Sequence, residues 1–120
     1  MHDNANAAPK VYVISARGAP SRIKVGYCTG TKDELRKRYR TTIPDIQFHL
    51  FCEHPDAKRI EREFHSSMRH KSVKDGSGNR SEVYDGLCVN AILTKLNRLG
   101  MDIKLGILAT LYDKIIGYPI

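Results

Sequence analysis

The three cysteines, Cys28, Cys52 and Cys88, are odd in number and none stands in a C-x-x-C pair. That excludes a disulfide framework and a zinc ribbon, and the setting it fits is a reducing, intracellular one. Nor does any pair among Cys28, His49, Cys52, His54 and Cys88 have the spacing of a zinc motif. Long apolar runs are missing too. Nothing approaches the roughly 18 residues that a membrane span needs, so no membrane partner is expected. The opening "MHDNANAAP" lacks the basic-then-apolar order of a secretory signal, and residues 1–9 read as a loose polar tail. Internal repeats and low-complexity tracts are absent.

What the sequence does have is positive charge. Twenty Lys and Arg against thirteen Asp and Glu leave +7 on 120 residues. The surplus lies mainly between Lys32 and Arg80, and it makes an anionic polymer the first partner to consider. A chain of this length buries roughly two thirds of its unfolded surface, enough for one core.

Apolar periodicity then orders the chain. Val11–Ile14 and Ile23–Tyr27 are β-branched and aromatic, and the Gly18 and Pro20 between them close a hairpin. In the second arm Ile23, Val25 and Tyr27 share one face, Lys24 and Gly26 the other. "KDELRKRYR" places Leu35 and Tyr39 four apart on a helix that Pro44 ends. "IQFHLFC" alternates as a third strand, with Ile46, Phe48 and Leu50 on one side. Pro55 opens a helix whose apolar face is Ala57, Ile60, Phe64 and Met68. "KSVKDGSGNRS" reads as a mobile basic loop, and "SEVYDG" as a short extended piece. Leu87, Ala91, Ile92, Leu96 and Leu99 fall at helical spacing before Gly100. The last twenty residues are apolar enough for a packing helix or a self-association face, hence a possible homodimer. The expected fold is a small α+β domain, a three-stranded, mainly antiparallel sheet flanked by helices, with extra C-terminal helices over 86–120 packing on the same domain.

"KVY" at 10–12, eleven intervening residues and "KVG" at 24–26, followed by "RYRTTIP", "AKRIEREFH" and "SEVY", together resemble the GIY-YIG nuclease superfamily. The similarity is to a branch of short domains from phages and large DNA viruses, and it covers residues 10–85. Lys10 stands where the family has its first Gly, and Lys24 where the second half-motif has its Tyr. The resemblance implies a metal-dependent DNA endonuclease, inside a host cell if viral, in the cytoplasm or nucleus. Glu61 matches the metal-binding glutamate, for Mg²⁺ or Mn²⁺. Tyr12 matches the tyrosine that takes the proton of the attacking water. Lys24 is placed to lower the pKa of that phenol or to hold the phosphate. Arg38, or alternatively Arg36, matches the phosphate-stabilising arginine. His65, at i+4 from Glu61, orients that carboxylate or touches phosphate. Glu82 resembles the branch's late glutamate; capping the next helix or pairing with Arg80 are its other uses. Tyr27 and Tyr39 are open to stacking or to a phenol cluster, with core packing the first expectation for Tyr39.

Contacts to DNA, branched or otherwise structured, are expected from Arg36, Lys37, Arg40, Arg62, Arg69, Lys71, Lys74 and Arg80. No recognition helix, finger or repeat is present from which a base preference can be read. Two further functions stay open. One is a nucleic-acid-binding or host-defence-antagonising module that has lost catalysis, the other a protein-interaction domain using the C-terminal helix.

Overall fold

The computed structural model describes residues 8–74, 76–87 and 89–104. Most of the expected tail, and residues 105–120 with the anticipated packing helix or dimer face, lie outside the described residues, as does Cys88.

Five strands form one sheet in the order β3-β1-β2-β5-β4, every pairing antiparallel. They are β1 (Lys10–Ala16), β2 (Ala19–Cys28), β3 (Ile46–Glu53), β4 (Ser72–Lys74) and β5 (Arg80–Asp85). The helices are α1 (Lys32–Arg38), α2 (Ala57–Met68) and α3 (Val89–Arg98). The α+β class stands, but the three-strand count is corrected to five. The basic stretch expected to be a mobile loop is the β4–β5 hairpin, turning at Gly78 with φ +86°. Polar side chains fasten it: the Ser81 hydroxyl donates to the Val73 carbonyl at 2.6 Å, and that of Ser72 to the Arg69 carbonyl at 2.8 Å.

Strand alternation sends side chains to two cores. On one face Val11, Val13, Ile23 and Val25 meet Ala57, Ile60, Phe64 and Met68 of α2 and Ile92 and Leu96 of α3, so α3 belongs to the same core as the hairpin. On the other, Tyr12, Ile14 and Cys28 meet Leu35 of α1. Helix α1 is short but well started, since Thr31 and Glu34 form a reciprocal capping box. The expected single apolar side of β3 is corrected as well. A register shift opposite Val13 and Ile14 splits it, sending Ile46, Phe48 and Phe51 to the α1 face and Leu50 and Cys52 to the α2 face.

Candidate functional site

The β2–β5 ladder pairs Arg22, Ile23 and Lys24 with Asp85, Tyr84 and Val83, and stops there. The next carbonyl on β2, that of Val25, is therefore free to accept from a side chain, and it does so from His65 Nε2 of α2 at 2.9 Å. Glu82, one residue beyond the last pair on β5, occupies this notch. Its Oε1 accepts from Lys24 Nζ at 3.0 Å, while one atom from each of Glu61, His65 and Glu82 lies within 4.8 Å of the others. The notch is what lets groups from opposite faces of the sheet meet.

On the α2 side, Glu61 Oε2 lies 3.1 Å from His65 Nε2, one helical turn away. The carboxylate and the Val25 carbonyl both only accept, so Nε2 carries a proton, and Nδ1 shares a hydrogen bond of 2.8 Å with the Tyr84 hydroxyl. His65 is 4 % exposed, which separates the two uses open to it: it orients Glu61 and is not on the surface to touch phosphate. A His65→Ala variant leaves the Tyr84 hydroxyl and the Val25 carbonyl without their partner. We expect a loss of roughly 2–6 kcal/mol in urea unfolding, at about 1–3 for each of the two buried groups left unsatisfied.

Glu61, His65 and Glu82 together make a group that could hold a metal ion. With its Nε2 proton committed, the imidazole has no lone pair to offer there, and the donors that remain are the oxygens of Glu61 and Glu82. Burial raises the Glu82 carboxyl, but Lys24, His65 and Glu61 outweigh it and hold the group below the usual carboxylate range. Glu82 is thus an anion at neutral pH, with Lys24 as its partner. Neither helix capping nor the pairing with Arg80 is needed to explain it.

On the α1 side, Tyr12 and Tyr39 share a hydrogen bond of 2.9 Å, and Lys24 Nζ stands 5.6 Å from the centre of the Tyr39 ring. Tyr39 is the C-cap residue of α1 and half-buried, and its hydroxyl meets that of Tyr12, the phenol cluster that stood as the alternative to core packing. Gly26, directly across from Tyr12, explains itself: a Cβ there would lie 2.3 Å from Tyr12 Cζ. The close neighbour is this ring.

Two expectations for Tyr12 are corrected. Its side chain is 2 % exposed, so water reaches Tyr39 before it. Its pKa is pushed far above the ordinary phenol value, first by burial, then by the hydrogen bond to Tyr39 and the charges of Tyr39 and Glu82, with Arg38 opposing. Lys24 does not lower it, because its ammonium is spent on Glu82. Burial raises Tyr84 likewise, with Arg69 opposing. A phenol held protonated by the fold stabilises it fully below the ordinary value of about 10, and that contribution is lost as pH rises above it. In an alkaline titration followed at 295 nm, two of the six tyrosines should ionise only as the circular dichroism of the fold collapses. Reversible ionisation of all six in the folded protein would contradict this.

Arg38, favoured over Arg36 from the "RY" and "TTIP" around it, is separated from Arg36 by the structure. For Arg38, desolvation is outweighed by a hydrogen bond to the Tyr39 hydroxyl and by Tyr12, Tyr39 and Cys28, so its pKa rises. Arg36 instead pairs with Asp33 at 2.8 Å and lies 5.2 Å from the centre of the Phe48 ring. Of the other expected DNA contacts, Lys37 and Arg40 are exposed at the end of α1 and just beyond it, while Arg62, Arg69, Lys71 and Lys74 are exposed on α2 and the segment leading through β4. The two groups come from elements on opposite faces of the sheet. The Arg80 side chain lies outside the described residues.

The structure therefore brings Tyr12, Lys24, Arg38, Glu61 and His65 into one connected network and adds Glu82 and Tyr39. The signals for these two were present, in "SEVY" and "RYRTTIP". Their place in the network was not, because it depends on where one ladder ends.

No curated protein and no solved structure matches the chain. A family model described as the T5orf172 domain matches residues 10–99, from the first residue of β1 to just beyond α3. The chain belongs to the T5orf172 domain family, a phage-associated domain related to the endonuclease group that includes GIY-YIG and HNH-like enzymes.

Proposed function

We propose that this protein is a metal-dependent endonuclease that hydrolyses phosphodiester bonds of DNA. One observation carries the reading: the Lys24–Glu82 ion pair joins the carboxylate cluster on one side of the sheet to the phenol and guanidinium cluster on the other. A hard divalent cation held by Glu61 and Glu82 would supply Lewis-acid charge at the scissile phosphate. Arg38, and Lys24 as it turns from Glu82, bind the non-bridging oxygens and offset the charge that builds on them. The half-exposed Tyr39 oxygen accepts a hydrogen bond from the attacking water and orients it, with Tyr12 behind it fixing the direction of the phenol, while the proton that the water loses passes to solvent. The water oxygen bonds to phosphorus as the bond to the leaving oxygen breaks. His65 keeps Glu61 in place throughout.

Incubation with supercoiled and branched DNA tests this: nicking should require Mg²⁺ or Mn²⁺ and cease in EDTA. Arg38→Ala should slow it about a hundredfold, the effect of losing one charge-stabilising donor, whereas Arg36→Ala stays within a few-fold of wild type. Equal losses from the two variants would remove Arg38 from the site.

A second reading has one observation behind it. Lys24 and Glu82 already neutralise each other, an arrangement suited to a scaffold that binds nucleic acid without cutting it. Binding without nicking in any divalent ion, weakening steeply with salt, would be its signature.

A further inference from the structure

Beside the network, on the α1 face, lies a cavity of about 350 Å³. Its walls are largely apolar: Ala19 of β2, Val83 of β5 and Ile43 from the α1–β3 connection, with the Tyr39 ring at the end nearest the site. Two cations, Arg22 and Lys24, line it from alternate positions on one face of β2, roughly 7 Å apart at about 3.3 Å per residue. Lys24 and Tyr39 therefore belong to both the cavity and the proposed phosphate site.

We propose that this cavity receives one unpaired nucleobase, that of a nucleotide next to the phosphate at Lys24 and Arg38. The inference rests on the phosphodiesterase reading and adds to it the class of DNA selected. The chemistry on the page favours a base over other occupants. The volume is at the lower end of small-molecule pockets, which run from roughly 300 Å³, so a base with part of its sugar enters and a duplex does not. The apolar walls and the Tyr39 ring suit a flat aromatic ring system. Arg22, and Lys24 as it turns from Glu82, suit the phosphates on either side of the same nucleotide. A base can reach the cavity only out of the stack, so the protein selects DNA with a bulged, flapped or single-stranded nucleotide.

The test is binding, in EDTA, of the full chain to three fluorescent DNAs measured by anisotropy. They are a perfect duplex, the same duplex with one bulged adenine, and the same bulge carrying an abasic site. Bulged adenine should bind about tenfold tighter than the abasic bulge, on the scale of one base stacked on an aromatic side chain. Filling the cavity from exposed positions, with Ala19→Trp or separately Thr42→Tyr, should erase that difference and leave duplex binding unchanged. Equal affinity for adenine and abasic bulges, or a preference that survives both fillings, overturns the proposal. Nicking in Mg²⁺ is scored separately, so a preference for the adenine bulge without nicking sinks the catalytic reading and leaves the cavity assignment standing.

Discussion

Glu61→Gln should reduce Mg²⁺-dependent nicking of supercoiled DNA by about a thousandfold or more, the largest effect expected from any single substitution here. The exchange is nearly isosteric. Its amide oxygen still accepts from His65 Nε2, the contact that Glu61 Oε2 makes at 3.1 Å, so the buried imidazole keeps its partners. What disappears is one of the two carboxylates proposed to hold the cation. The fold should change by no more than roughly 0.5 kcal/mol, the range of substitutions that leave no cavity and no unsatisfied group. Loss of activity at unchanged unfolding midpoint separates a chemical role from a structural one. Nicking that stays within tenfold of wild type would mean that Glu61 does not hold the ion.

Gly26→Ala should damage both stability and activity, for a steric reason. The new methyl would meet Tyr12 Cζ, Oη and Cε1 at 2.3, 2.4 and 2.8 Å. The obstacle is a rigid, buried ring packed with Ile14 and Leu35, so it cannot swing aside as the end of a flexible side chain would. Either the strand shifts or the ring leaves and the Tyr12–Tyr39 hydrogen bond breaks. We expect about 1–3 kcal/mol of destabilisation, with a midpoint lowered by about 4–8 °C per kcal/mol in thermal unfolding. Nicking should fall further than stability accounts for, since Tyr39 loses its anchor. Gly18→Ala is the control: a Cβ there meets nothing within 4 Å, and its effect should stay within about 0.5 kcal/mol. Equal melting of the two variants would show that the ring does not lie where the structure places it.

The readable parts of the sequence were those with strong apolar periodicity. The α2 stripe of Ala57, Ile60, Phe64 and Met68, and the opposed faces of Ile23 and Val25 against Lys24 and Gly26, are buried as spacing alone required. The extended piece read in "SEVYDG" stands as part of β5, but β4 was not legible, because a three-residue basic strand offers no alternation and its order comes from the Ser72 and Ser81 hydroxyls. The split of β3 was hidden because a single extra residue inverts every later side chain. At the site, residue types and order pointed to Glu61, Lys24 and Tyr12, but burial reversed the role expected of Tyr12, and no pattern in one sequence reports burial of a phenol. Spacing alone did not separate Arg38 from Arg36, and the preference for Arg38 rested on the "RY" and "TTIP" around it. Both flank the same helical turn, and only the ring of Phe48 and the carboxylate of Asp33 draw one of them away.

The central claim is that two carboxylates from different elements, Glu61 and Glu82, hold a single hard cation beside Lys24. Titration of the DNA-free protein with Mn²⁺, followed by electron paramagnetic resonance, measures this without any reaction. The account predicts one bound ion per chain, competed by Mg²⁺, lost in Glu61→Gln and again in Glu82→Gln. Stoichiometric binding that persists unchanged in both variants, or no binding by the wild type, would contradict it.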